Sequence, residues 1–167
     1  TVSAEELGGA STHTKKSGVA DLAFEDDLTI LEQTRRLLDF LPLSNKEKAP
    51  ARLTEDPKNR KAFNLDTLIP ENSNSPYDMK ELIITIIDEE DFFEIQPDYA
   101  QNIIIGFARI SGETIGIVAN QPMVLAGCLD IDSSRKAARF IRFCDCFNIP
   151  IVTLVDVPGF LPGTSQE

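Results

Sequence analysis

The residue types that could do chemistry in this 167-residue chain are glycines and the amides around them, not acid–base side chains. Asp156-Val157-Pro158-Gly159-Phe160-Leu161-Pro162-Gly163-Thr164 follows an apolar strand pattern and mixes rigid prolines with permissive glycines. Such a loop can aim N–H groups at a developing oxyanion while letting a ligand approach the main chain. It can equally be a tight strand-to-helix turn with no ligand. A second loop, Ala119-Asn120-Gln121-Pro122, also follows a strand pattern. In open α/β sheets, ligands bind beyond the carboxyl ends of the strands, so both loops are candidates.

Other chemistries find little support. His13 is the only histidine, so a Ser-His-Asp arrangement would have to use it. A histidine beside Gly8-Gly9-Ala10 reads as structural or hydrogen-bonding. That glycine run lacks the G-x-G-x-x-G spacing, and no strand pattern precedes it, which argues against a dinucleotide site. Cys144-Asp145-Cys146 is a C-x-C, not the C-x-x-C of redox or zinc sites, and with one histidine no metal site is expected. Three cysteines in a chain this long do not form a disulfide framework, and a reducing compartment fits them better. Cys144 reads as a small buried hydrophobe on a helix face. Phe92-Phe93 reads as core.

The elements that must position these loops are legible from periodicity. Leu7 to Phe24, rich in small and hydroxyl residues, reads as a loop or turn entering a short helix. A helix is expected from about Asp27 to Leu41, with Leu28, Leu31, Leu38 and Leu41 on one face and Thr34 and Leu37 between. Asp26 or Asp27 can cap it, and Pro42 stops it. Residues 42–76 hold five of the ten prolines and no apolar period, as a linker crossing a surface would. A second helix follows Pro76-Tyr77, with Asp78 and Glu81 as a capping box and Met79, Leu82, Ile83, Ile86 and Ile87 as its stripe. Asp88-Glu89-Glu90-Asp91 ends it, and Phe92 to Ile95 is a short extended segment.

Asn102 to Ile110 reads as a buried strand, Ser111-Gly112-Glu113 as a turn and Thr114 to Asn120 as a second strand, so the pair is a hairpin. Asp132-Ser133-Ser134 is the expected cap of a helix running to about Phe147. Its inner face would be Ala137, Phe140, Ile141, Cys144 and Phe147, with Arg135, Lys136, Arg139 and Arg142 mostly outward. Ile149-Pro150 ends that helix, and Ile151 to Val155 is an apolar strand. Strand, helix, strand in this order implies a right-handed parallel crossover and an α/β class.

Composition narrows the function classes. A hydrophobic content of 42% is enough for a core and excludes disorder of the whole chain. No run of roughly 18 apolar residues could span a membrane. The net charge of −11, with no basic cluster, argues against nucleic acid. Residues 61–100 carry ten acids and two bases. That window is either a solvated acidic face or a surface that selects a basic partner. Thr1-Val2-Ser3-Ala4-Glu5-Glu6 does not look like a secretory signal. The absent starting Met and the stop after Ser165-Gln166-Glu167 suggest a piece of a longer chain.

Several blocks together resemble one family. Leu7-Gly8-Gly9-Ala10-Ser11-Thr12-His13-Thr14-Lys15-Lys16-Ser17-Gly18-Val19-Ala20-Asp21 is similar to a signature of acyl-CoA carboxyltransferases. Asp91 to Ile95, Asn102 to Arg109, Gly116 to Pro122, Phe140 to Asp145 and Asp156 to Thr164 resemble later blocks, in order and at family spacing. The resemblance is strongest to members that act on propionyl-CoA. It implies a crotonase-like fold of ββα units in two domains. Residues 1–42 would then end the N-terminal carboxyltransferase domain, 43–76 would be a linker, and 77–167 would be the first half of the C-terminal domain.

The resemblance also implies a function. The enzyme would transfer CO2 from carboxybiotin to the α carbon of propionyl-CoA, giving methylmalonyl-CoA. Two pairs of backbone amides would stabilise negative charge on the acyl-CoA and on biotin, with freed biotin taking the α proton. Gly159 and Phe160 match the catalytic loop that supplies one biotin-side amide. Leu161, Pro162, Gly163 and Thr164 complete the biotin-binding stretch. Gly8, Gly9, Ala10, His13, Ser17 and Gly18, with Ala119, Asn120, Gln121 and Pro122, match acyl-CoA-binding positions. Biotin would be covalently held on a partner α subunit that also carries the biotin carboxylase and uses ATP, Mg and bicarbonate. The β subunits would form a hexameric core, in a bacterial cytoplasm or mitochondrial matrix. A methylmalonyl-CoA decarboxylase or transcarboxylase subunit shares these motifs, and an oligomerisation module without activity is the remaining alternative.

Overall fold

The computed structural model describes residues 1–72 and 75–166, and a hairpin buried on both faces lies at its centre. Ser73 and Asn74 of the expected linker, and Glu167 at the end of the expected 77–167 unit, lie outside the described residues. The sheet has four strands, β1 (Phe93–Ile95), β2 (Ile103–Ile110), β3 (Glu113–Asn120) and β4 (Ile151–Leu154), in the order β1-β2-β3-β4. β1 and β3 flank β2 antiparallel, and β4 runs parallel to β3. The β2–β3 register pairs Ile103 with Asn120 and Ile110 with Glu113, leaving Ser111-Gly112 as a two-residue turn. Both turn residues have positive φ, and both turn amides donate to Asp88, at 3.0 Å and 2.6 Å.

The strands are mostly apolar because each face meets a helix. Ile103, Ile105, Phe107 and Val118 point to one face, where α4 (Ile131–Cys146) brings Ala137, Phe140 and Cys144. Phe40, just past α2 (Asp27–Leu38), joins that cluster. Ile104, Ala108, Ile115, Ile117 and Ala119 point to the other face, against Met79, Ile83 and Ile87 of and just after α3 (Met79–Ile86). The ring of Phe107 lies 5.0 Å from that of Phe140 and 6.2 Å from that of Phe40. Cys144 packs on Gly116, where an added Cβ would come within 2.7 Å of its sulfur. Burial pushes the Cys144 thiol up to about 12.

Several expectations need correction. α2 ends at Leu38, not Leu41, and its Leu28–Leu31–Leu38 stripe is exposed. The helix is anchored by its end instead: Leu37, Phe40 and Leu41 turn onto the sheet, and the guanidinium of Arg109 lies 4.1 Å from the Phe40 ring and donates to the Asp39 carbonyl. Asp78 caps α3, but Glu81 does not reciprocate; Gln121 does, accepting from Met79 N and donating to Asp78 Oδ1. α4 starts earlier than expected, because Asp130 and Ser133 form its capping box. Ile141 is exposed, whereas Lys136 is buried, with only 3% of its surface accessible. Lys136 lies between Ser133 and Phe140 on the helix face that meets the sheet, so its stem follows that face inward. β4 stops at Leu154, and Val155 is exposed.

The stretch 43–72 is mostly irregular and is laid against the hairpin turn and the end of α3. Arg52 N donates to the Gly112 carbonyl, and Arg60 donates to the carbonyls of Thr85 and Ile87. The acidic window is not simply a solvated face. Asp88 is buried on the turn, Glu89 receives Thr54 Oγ1, Asp91 pairs with Arg36, and Glu94 pairs with Lys80.

Three expectations follow for stability, read as unfolding midpoints of the parent subunit. Phe107→Ala costs about 3–5 kcal/mol, the usual range for emptying a packed aromatic site. Phe160→Ala, at a ring 73% exposed, changes stability by no more than about 0.5 kcal/mol. Asp130→Ala costs about 1 kcal/mol at neutral pH. Burial works to raise the Asp130 carboxyl, but bonds from the amide and hydroxyl of Ser133 outweigh it and hold it below its ordinary value. The stabilisation is therefore complete above the ordinary carboxylate range and fades as pH falls through the lowered value. The gap between Asp130→Ala and the unsubstituted protein should close in acid.

Candidate functional site

The loop after β4 is tied down by a bridge one residue wide. Leu129 N donates to the Gly159 carbonyl at 3.0 Å, and Leu161 N donates to the Leu129 carbonyl at 2.8 Å. In a parallel bridge these two bonds use the groups on either side of Phe160, so the amide and carbonyl of Phe160 itself point away from Leu129. The Phe160 amide has no acceptor among the described residues. Gly159 has a φ of +152°, which favours glycine, and a Cβ built there would meet nothing within 4 Å. An unpaired amide beside open space is what an oxyanion donor requires. Leu161 is half-buried, and Pro162, Gly163 and Thr164 are exposed. Ile131 N at the start of α4 donates to Gln166 Oε1, so the loop is stitched to the helix end where unpaired amides concentrate positive charge.

Ala119, Asn120, Gln121 and Pro122 are all buried. Asn120 donates to the Gly127 carbonyl at 3.1 Å and accepts from Asp156 N at 3.3 Å. Gln121 spends its amide on the start of α3. These side chains brace the loops around the site; they do not reach into solvent. Asp156 also receives the Tyr77 hydroxyl at 2.7 Å, and burial, followed by that carboxylate, pushes the hydroxyl up to about 12.

The glycine block forms a helix, α1 (Ala4–Gly8), and a π-helical turn, Thr12–Lys16. Gly8, Ala10 and Ser17 are exposed, and Gly9, His13 and Gly18 are half-buried. His13 Nδ1 lies 3.3 Å from Ser17 Oγ, and no carboxylate pairs with the ring among the described residues. Gly18 has a φ of +62°, and a Cβ there would come within 2.7 Å of the Tyr99 ring. Gln96 Nε2 donates to the Gly18 carbonyl at 2.7 Å.

No hydrogen bond joins the 8–18 block to the 156–164 loop among the described residues. The connection runs through residues 96–103, of which the sequence singled out only Asn102 and Ile103, as the start of a strand. Gln96 and Tyr99 hold Gly18 on one side. On the other side Asn102 donates to the Cys128 carbonyl and accepts from Gln121 N. Lys136 sits beneath this turn, donating to the carbonyls of Gln96, Tyr99, Ala100 and Ile103. Burial pushes its ammonium down to about 8, with Glu94 opposing the fall and Lys80 adding to it. Its place between Ser133 and Phe140 on the inner helix face was the signal that could have found it. A cleft of about 410 Å³ between α2 and α4 is lined by Leu37, Leu41, Phe107, Phe140 and Phe143, and none of the expected site residues lines it.

Comparison with known proteins places this arrangement. The carboxyl transferase domain family matches residues 1–167. The chain is 72% identical to the propionyl-CoA carboxylase beta chain of Cereibacter sphaeroides, over 99% of this chain and 32% of that one. It is 56% identical to methylmalonyl-CoA decarboxylase subunit alpha of Veillonella parvula, over 99% of this chain and 33% of that one. It superposes with a TM-score of 0.95, at 45% identity, on the transcarboxylase 12S hexamer crystallised with methylmalonyl-coenzyme A and methylmalonic acid. That match covers 99% of this chain and 32% of the other, so the chain spans about a third of the length of its relatives. Matched from end to end, the chain belongs to the carboxyl transferase domain family and has its crotonase-like α/β fold.

Proposed function

We propose that this chain is part of the carboxyltransferase subunit of a biotin-dependent acyl-CoA carboxylase, a ligase that converts propionyl-CoA to methylmalonyl-CoA. The observation that carries the reading is the unpaired Phe160 amide beside the open side of Gly159. These residues fit a biotin-side anion pocket. When bound, biotin supplies the carboxyl group. Gly159 and Phe160 donate a main-chain amide toward its developing negative charge, and Leu161, Pro162, Gly163 and Thr164 shape the approach. Gly8, Gly9, Ala10, His13, Ser17 and Gly18 border the acyl-CoA. Ala119, Asn120, Gln121 and Pro122 act on the same ligand indirectly, by bracing the loops.

In this reading residues 1–42 close the N-terminal carboxyltransferase domain, 43–76 link, and 77–167 open the C-terminal one. Subunits assemble into a hexamer, as the transcarboxylase 12S relative does. A partner α subunit carries biotin and consumes ATP, Mg and bicarbonate, in a bacterial cytoplasm or mitochondrial matrix. A second reading, methylmalonyl-CoA decarboxylase or transcarboxylase, is favoured by the similarity to the Veillonella subunit and to transcarboxylase 12S.

The parent subunit with its biotinylated partner should carboxylate propionyl-CoA in an ATP-dependent assay. ATP-independent decarboxylation, or exchange of a carboxyl group between two acids, would select the second reading. Gly159→Val should slow transfer by about 100-fold, the scale of one lost oxyanion donor. The KM for propionyl-CoA should stay nearly unchanged. A normal transfer rate would sink the assignment of this loop. Residues 1–167 alone should show no turnover, since they hold at most one of the four oxyanion donors; measurable activity would favour a complete site within them.

A further inference from the structure

Lys136 is a buried cation held by carbonyls rather than by a carboxylate. Its ammonium makes no ion pair among the described residues. It is surrounded by four main-chain carbonyls, those of Gln96 at 2.8 Å, Tyr99 at 2.7 Å, Ala100 at 3.3 Å and Ile103 at 2.8 Å. Carbonyls only accept, and an ammonium only donates, so three N–H groups shared among four acceptors leave no group of the wrong polarity inside the cage. A neutral amine would bring two donors and a lone pair, which would face an oxygen. The cage resembles a monovalent-cation site whose cation is tethered to a helix.

The turn around it is wound in a way that needs such a centre. Gln96 and Ala100 both have positive φ, at 53° and 42°, where non-glycine residues are strained. With the ammonium removed, four carbonyls would converge on an empty space and repel one another.

We propose that Lys136 is a positioning residue: its ammonium holds the 96–103 turn closed, and the turn sets the relative position of the two segments read above as the acyl-CoA and biotin sides. The path is continuous. Gln96 N donates to the Asp21 carbonyl and Gln96 Nε2 to that of Gly18, while the Tyr99 ring lies against Gly18. Asn102 grips Gln121 N and the Cys128 carbonyl, and Leu129, the next residue, bridges Gly159 and Leu161. The role of these segments rests on the proposed function; the cage and its mechanical consequence do not.

Amide hydrogen exchange on the full-length subunit separates the two. In Lys136→Met, which keeps the stem but not the charge, the amides of Tyr99 and Ile103 should exchange about tenfold faster or more. The change should spread to the amides of Gln121, Leu129 and Leu161. Lys136→Ala should regain protection with ethylammonium, which donates hydrogen bonds, and not with tetramethylammonium, which cannot. Unchanged exchange in Lys136→Met would overturn the cage, and faster exchange confined to 96–103 would overturn the positioning role. If neither variant folds, amine labelling of the unsubstituted subunit decides: Lys136 should resist acetylation until global unfolding, whereas labelling at the rate of exposed Lys46 would overturn the proposal. Exchange needs no carboxyl transfer, so an inactive parent with the expected exchange pattern would refute the proposed function and leave the cage standing.

Discussion

A hairpin whose two faces are both apolar cannot rest on one layer, and this constraint orders the rest of the molecule. β2 presents Ile103, Ile105 and Phe107 to one side and Ile104 and Ala108 to the other. Leaving either side wet would expose several large side chains, each worth about 1.5–3 kcal/mol when buried. α4 and the end of α2 cover the first side, and α3 covers the second. The covers come from both sides of the hairpin in sequence, α2 and α3 before it and α4 after it, so the connecting loops are pulled to the strand ends. The candidate site lies where those loops gather.

Burying so much main chain creates a second demand, because loops near a core carry polar groups that must be paired. The chain meets it with a few buried polar side chains. Asp88 takes both amides of the hairpin turn, Asn102 and Asn120 tie down loop carbonyls, Gln121 completes the start of α3, and Lys136 gathers four carbonyls. The pairing is selective. It satisfies the backbone around Leu129 and leaves the Phe160 amide without an acceptor among the described residues. The site is thus defined as much by what its surroundings satisfy as by what they leave open.

The framework was legible in the sequence because its signals are local. The Ile-rich run, the hairpin and the β3-α4-β4 order follow from periodicity and turn chemistry, and they stand in the structure, although Glu113, expected in the turn, opens β3. What was not legible depends on partners distant in the chain. Gln121 replaces Glu81 in capping α3 from more than forty positions away. The Leu28–Leu31–Leu38 stripe is amphipathic by spacing, yet only the end of α2 meets the sheet. Lys136 shows the limit most plainly. Its spacing from Ser133 and Phe140 placed it inside, while its charge argued for outside, and only the four carbonyls of a turn more than thirty residues away resolve the conflict in favour of spacing. Of the candidate site, the Gly159–Phe160 loop was legible as glycine punctuation, whereas the bracing role of Asn120 and Gln121 was not.

The C-x-C pair on α4 acquires a use that its lack of metal or redox spacing would not suggest. Cys144 faces Gly116 under the helix, with its thiol pushed out of the reactive range, while Cys146, two positions on, is exposed. One helix therefore carries a sealed thiol and an open one with nearly the same local sequence. An alkylating reagent meets Cys146 at its encounter rate and Cys144 only when α4 lifts from the sheet. The ratio of the two labelling rates is a direct clock for the breathing of this core, with its own internal reference built in.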